Sequence, residues 1–169
     1  IAERVAVLRK GRIEQMGSPR EVYSRPQSIF VASFVGGANF IEGNISKVYS
    51  SGSSIEIRGG YQISVSDRSK EVGEKVVVAV RPEDISVGSA EVIGSNNFSG
   101  RIESKMFIGG SMEYTIRLEN DDVVSCKISL SDLPTTYKTG ERVIVSFLAE
   151  RCYVFPYPKG GLLEEIEAI

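Results

Sequence analysis

Histidine and tryptophan are absent from this sequence, and cysteine occurs only as Cys126 and Cys152. Without histidine there is no imidazole general base, no Ser-His-Asp triad and little of the usual zinc-ligand chemistry. The two cysteines stand outside any CxxC pair or metal-ligand spacing and fall in strand-like runs, so they read as buried thiols rather than as a disulfide. No sign of charge predominates: 20 Lys and Arg face 22 Asp and Glu in 169 residues, leaving no overall field to gather nucleic acid or anionic lipid. Apolar runs are short, residues 76–80 being typical, against the roughly 20 residues a helix needs to span a bilayer. The N-terminus, IAERVAVLRKGR, carries charges where a secretory signal needs an apolar core. It also lacks an initiator Met, so we expect a piece of a longer protein.

What is present suffices for a folded core, with 41% hydrophobic residues. Residues 4–8 and 12–16 flank a Lys10-Gly11 turn signal and predict a β-hairpin. Ser18 as N-cap, Pro19 at the first helical position and Glu21 three residues after Ser18 predict a short capped helix. A second helix is expected after Pro26, with Ile29, Phe30, Val31 and Phe34 on a wide apolar face and Gly36-Gly37 as the stop. From Phe40 to Phe155 the pattern changes to short alternating strands separated by Gly, Ser, Asn and Asp turns, which predicts a barrel or sandwich. The tail after Phe155, with two prolines, a Gly-Gly and LLEEI, is either a short terminal helix or frayed, and the frayed reading is preferred.

An internal repeat decides the expected architecture. Asn39-Phe40-Ile41-Glu42-Gly43-Asn44-Ile45 is matched by Asn97-Phe98-Ser99-Gly100-Arg101-Ile102, and Val72-Gly73-Glu74-Lys75-Val76 by Thr139-Gly140-Glu141-Arg142-Val143. The expected fold is mainly β: tandem small barrels of the OB type, formed by a duplicated unit and preceded by the hairpin and two short helices. The second copy has a longer gap between its motifs, where residues 129–138, with Pro134, form an extra loop.

The segment RVAVLRKGRIEQMGSPREVYSRPQSIFVASFVGGANFIEG resembles the end of the nucleotide-binding domain in ABC importer ATPases that serve sugars, polyamines, ferric ions and oxyanions. Matching positions include Arg4, Ala6, Val7, Gly11, Ile13, Gln15, Gly17, Pro19, Glu21, Tyr23, Pro26, Phe30, Phe34 and Gly36. Beyond Gly36 the chain is similar to the transport-associated barrel domain of the same family, whose R-P-E element is matched at Arg81-Pro82-Glu83. The resemblance implies three parts: residues 1–36 as the end of the nucleotide-binding domain, residues 37–158 as a duplicated OB-like regulatory domain with repeats of about 37–93 and 94–158, and residues 159–169 as a tail. It also implies a regulatory and dimerising role in a cytoplasmic subunit at the inner face of the membrane. The expected partners are a second copy, permease subunits reached through the ATPase domain, and a small-molecule regulator, with no nucleic acid. ATP chemistry needs a Gly-rich loop ending in GK(S/T), a signature loop, acidic Mg²⁺ and base residues and a switch histidine. None occurs in this sequence, so ATP and Mg²⁺ are expected only for the longer subunit, and no catalytic, cofactor or metal residue is assigned here.

The candidate interface or ligand residues are Asn39, Phe40, Gly43, Arg81, Glu83, Asn97, Phe98 and Gly100. Arg81-Pro82-Glu83-Asp84 reads either as a surface turn or as a partner contact or ion-pair latch. Asn39 and Asn97 open the two repeats, as structural caps or as part of a small-ligand site. The rival to the regulatory reading is an oxyanion sensor for molybdate, tungstate or sulfate, with Ser46, Lys47 and Lys105 available. Phe98, Phe107, Tyr114 and Phe147 allow base stacking in a barrel of this type, but without a basic stripe core packing is the stronger reading. Gly109-Gly110 marks a hairpin or a bulge.

Overall fold

The computed structural model describes residues 3–132 and 135–167. Strands β1 (Val5–Arg9) and β2 (Arg12–Gly17) pair antiparallel. The turn between them puts Lys10 and Gly11 at φ of 48° and 76°, the left-handed geometry whose twist suits a two-residue hairpin. Helix α1 (Pro19–Ser24) carries the expected reciprocal cap: Glu21 N donates to Ser18 Oγ at 3.2 Å, and Ser18 N donates to the Glu21 carboxylate at 2.9 Å. Helix α2 (Ile29–Phe34) is capped by Ser28 and stops before Gly36 and Gly37, whose φ values of 86° and 72° lie in the left-handed region that favours glycine.

The rest is β-structure. The strands are β3 (Asn39–Tyr49), β4 (Gly52–Ile57), β5 (Gln62–Val65), β6 (Lys75–Val80), β7 (Ser86–Gly88), β8 (Asn96–Ile108), β9 (Ser111–Leu118), β10 (Val123–Ser129), β11 (Arg142–Phe147) and β12 (Tyr153–Pro156). They form two 5-stranded antiparallel sheets, ordered β12-β6-β3-β4-β5 and β7-β11-β8-β9-β10. Strands β3 to β7 thus correspond in order to β8 to β12, yet the copies are not separate in space. Each sheet takes its outermost strand from the other copy, β7 pairing with β11 and β12 with β6. One buried cluster accordingly mixes both copies, holding Ile41, Ile55 and Val78 together with Phe98, Ile116 and Val145.

Pairing sets the register of the duplication. Gly43 lies opposite Val76 and Ile57, and Gly100 opposite Val143 and Leu118. Both long strands carry a bulge at the same place, after Ile45 and after Ile102. The G-E motif is aligned as expected, and its chemistry repeats. Gly73 N and Gly140 N donate to Ile45 O and Ile102 O at 2.8 and 2.7 Å, and the Glu74 and Glu141 carboxylates each accept from the backbone N–H three residues earlier at 2.7 Å. The opening motif is not aligned as expected. Asn39 stands opposite Val80, and its counterpart opposite Phe147 is Asn96, so Asn97 corresponds to Phe40 and Phe98 to Ile41. A one-residue slip along a strand exchanges its faces, and the repeated Asn-Phe pair masked the period-2 pattern Asn-x-apolar-x-Gly-x-Ile that both copies share.

The unbroken apolar run of β6 has a direct cause. Val76, Val78 and Val80 enter the shared cluster, while Val77 and Ala79 pack against Ile29 and Ala32 of α2 on the opposite face. The tail also differs from the frayed expectation. Residues Leu162–Glu167 form helix α3, whose Leu162 and Ile166 join that second cluster. Of the expected extra loop, residues 133 and 134 lie outside the described residues, while Tyr137 is buried and its N–H meets Tyr114 Oη at 3.2 Å.

Candidate functional site at the joint between the helices and the sheets

Arg81 follows the last residue of β6, and its side chain is only 1% exposed. The guanidinium reaches the C-terminal ends of both leading helices. Nη2 donates to Tyr23 O at 2.7 Å, and Nη1 sits among the carbonyl oxygens of Ala32 (3.0 Å), Val35 and Gly37 (2.7 Å). Helix C-terminal carbonyls lack intrahelical partners and carry partial negative charge, so a buried cation is well placed there. The Tyr23 ring lies 4.2 Å below the guanidinium and adds a cation–π contact. Nε has no partner among the described residues. Burial pulls the Arg81 pKa below the usual arginine value, opposed by Tyr153 and Asp84. Tyr153 strengthens the same joint from β12, its hydroxyl donating to Ser24 O at 3.1 Å. Within the leading unit, buried Gln15 accepts from Gln27 N at 2.9 Å and donates to Arg25 O at 3.0 Å, which fixes the link between α1 and α2.

Asn39 and Asn96 are both 8% exposed and perform the same task across the duplication. Asn39 Oδ1 accepts from Ser125 N at 2.7 Å and its Nδ2 donates to Ser125 O at 2.8 Å. Asn96 treats Ser64 identically, at 2.7 and 2.9 Å. Ser125 lies on β10 and Ser64 on β5, the exposed edges of the two sheets. Each amide therefore occupies an edge N–H and C=O that would otherwise be free to pair with another chain, and does so on the opposite copy. Asn39 and Asn96 each lie four residues before the glycine of their strand, Gly43 and Gly100, which is the period-2 signal that marks Asn96 in the sequence.

The remaining candidates sort by contact. Phe40 packs in the cluster under α2 and α3. Gly43 and Gly100 are sites of close approach: a Cβ would lie 2.6 Å from Ile55 Cγ2 at the first and 2.9 Å from Ile116 Cγ2 at the second. Phe98 is in the core, stacked 5.8 Å from Phe147. Tyr114 is fully buried too, whereas Phe107 is 61% exposed near the Gly109-Gly110 turn. Asn97 anchors the preceding connection, accepting from Val92 N at 2.9 Å and donating to Val92 O and Ser95 O at 3.0 Å. Glu83 is exposed and lines a cleft of 680 Å³ with Tyr23, Gly36, Asn39, Glu113 and Lys127. That cleft spans the leading unit, the turn after Arg81 and the β9–β10 surface. Ser46 Oγ is spent on Ser54 O and Gln62, and Lys105 Nζ on Tyr137 O, so neither converges with the cleft.

The TOBE domain family matches residues 78–155, which begin inside β6, run through the Arg81 turn and end in β12. The chain carries a TOBE domain. The spermidine/putrescine import ATP-binding protein PotA of Thermobifida fusca is 31% identical over 159 residues, covering 92% of this chain and 41% of that protein. The Fe(3+) ions import ATP-binding protein FbpC of Fusobacterium nucleatum is 26% identical over 156 residues, covering 92% of this chain and 40% of that protein. The chain thus spans about two fifths of the length of these relatives, which are ATP-binding proteins for import. Its fold is similar to that of the cytoplasmic molybdate-binding protein ModG, with a TM-score of 0.63 at 14% identity, over 71% of this chain and 96% of that one. The OB-like architecture of the TOBE domain is therefore shared at a level where sequence no longer is.

Proposed function

We propose that this chain is the regulatory and dimerising module of the ATP-binding subunit of an ABC solute importer. The observation that carries the reading is the Arg81 joint, which ties the helices of the leading unit to the TOBE domain through four main-chain oxygens. A unit held in this way moves with the TOBE domain, so a partner bound to the domain biases the arrangement of what precedes it. In this reading ATP and Mg²⁺ act in the nucleotide-binding domain of the longer subunit, which also meets the permease subunits at the cytoplasmic face of the membrane. The relatives are named for unrelated cargoes, a polyamine and a ferric ion, so the module serves subunits that differ in solute.

Two copies of the TOBE domain pair, and a small solute in the 680 Å³ cleft favours one arrangement of the pair. Oxyanion sensing is the second reading, since Lys127 and hydroxyl groups line that cleft, but Glu83 and Glu113 oppose an anion there. Sedimentation equilibrium tests both. Leu8 and Ile13 are each 60% exposed on the hairpin and promote association of their own, so the measurement is made with a Leu8→Lys/Ile13→Glu variant as well. A dimer that persists in the variant supports pairing through the TOBE domain, and tightening by molybdate, tungstate or sulfate but not by spermidine favours the oxyanion reading. A monomer at every concentration and with every solute overturns dimerisation.

A further inference from the structure

The C-terminal segment returns across the molecule to the hairpin at its other end. After β12 the chain passes Pro158, Gly160 and Gly161 into α3, with Gly161 at φ 89°. Arg9, the last residue of β1, donates from both terminal nitrogens to the Glu165 carboxylate, Nη1 to Oε1 at 2.6 Å and Nη2 to Oε2 at 3.2 Å. The two side chains are 17% and 24% exposed, and the guanidinium also lies 4.9 Å from the Phe30 ring centroid. Glu14 also lies near Arg9, at 3.8 Å, and the charges of Glu14 and, more weakly, Glu164 add to that of Glu165 in holding the guanidinium.

Helix α3 has six residues, below the length at which a helix persists in water without tertiary support. Its support consists of the half-buried Leu162 and Ile166 on one side and the Arg9–Glu165 fork on the other, while Leu163 is 73% exposed. Helix formation and docking are therefore one event, and a forked pair held to one geometry is the part of it that depends on charge. The Arg81 joint differs in kind, because its acceptors are neutral carbonyls around a buried guanidinium and salt does little to it.

We propose that α3 is a releasable strap that fastens the β1–β2 hairpin to the TOBE domain while Arg9 holds Glu165, and that it detaches and unwinds as a unit when that pair is broken. Any acidic surface that engages Arg9 competes with Glu165 and frees the tail, and a movement of the hairpin relative to the sheets does the same. The leading unit stays on the sheets through Arg81 in either state, so the strap reports the position of the hairpin without controlling the fold. These contacts all lie within this chain and form whether or not it serves an importer.

Amide hydrogen exchange of the whole chain, read at residues 162–167 with the buried strand β6 as internal reference, tests it. Arg9→Met and Glu165→Gln are each expected to speed exchange in α3 by about three- to tenfold. Half-molar salt should do the same to the unaltered chain, and β6 should not change. Glu164→Gln makes the same change in net charge next to the fork without touching it, and is expected to leave α3 near its original rate. Unchanged α3 exchange in both Arg9→Met and Glu165→Gln overturns the strap, as does equal acceleration of β6, or an effect of Glu164→Gln as large as that of Glu165→Gln.

Discussion

Replacing Arg81 by Met keeps most of the side-chain volume and removes the charge and every donor, so it isolates what the guanidinium contributes. Four main-chain oxygens, those of Tyr23, Ala32, Val35 and Gly37, lose their partner together. A hydrogen bond from a charged donor contributes about 1.5–3 kcal/mol, and disrupting a buried charged network costs about 3–5 kcal/mol rather than the sum of its bonds. Relief from burying a cation offsets part of this, in keeping with the direction in which burial shifts the Arg81 pKa. We expect a net loss of about 3 kcal/mol, a large share of the 5–15 kcal/mol typical of a folded domain. The loss should begin at residues 19–37, whose carbonyls are freed, before the sheets yield. Urea unfolding followed by far-UV circular dichroism measures the total, and amide exchange locates it. Arg81→Lys should recover less than half, because one ammonium cannot serve Tyr23 O, reached by Nη2, together with the three oxygens around Nη1. A cost for Arg81→Met under about 1 kcal/mol, within the range of an ordinary neutral hydrogen bond, would refute the joint as described.

Asn39→Ala and Asn96→Ala should each cost about 2 kcal/mol in thermal or urea unfolding, since each orphans an edge N–H and C=O, and Asn97→Ala about 1–2 kcal/mol, because it loosens the connection before β8 and also leaves the buried Ser146 hydroxyl, which donates to Asn97 Oδ1 at 2.6 Å, without its acceptor. Removing the two clamps together should also raise aggregation, visible by light scattering, as the edges of β5 and β10 come free. Gly43→Ala, with a Cβ 2.6 Å from Ile55 Cγ2 and 2.7 Å from Glu56 O, should destabilise by about 2–3 kcal/mol, and Gly100→Ala by a similar amount, by thermal unfolding. Burial pushes the Cys126 and Cys152 thiols up to about 12, which disfavours the thiolate at pH 8; the fully buried Cys126 should react with a thiol reagent only after denaturation, and the partly exposed Cys152 slowly but before it, followed by mass spectrometry.

Local signals made much of this protein legible as a sequence. The hairpin, the Ser18–Glu21 cap, the Gly36-Gly37 stop and the G-E turns are each decided by a few neighbouring residues with strong backbone preferences, and all occur where those preferences place them. The duplication was visible as well, because two copies of one unit need the same turn and core residues. Contacts far apart in the chain were not legible. An Asn-Phe dipeptide cannot say which residue faces inward until a strand is paired, so Asn97-Phe98 imitates Asn39-Phe40 one position out of register and hides the clamp at Asn96. Nor could RPED indicate whether its arginine meets solvent or the ends of two helices 44 or more residues upstream. The exchange of β7 and β12 and the docking of α3 through Arg9 belong to the same class. Turn chemistry and periodicity are properties of adjacent residues, so the sequence by itself determined the elements and their repetition. Which buried polar group meets which distant backbone group is settled only when the sheets close, because each such pairing is favourable only once both partners have lost their water.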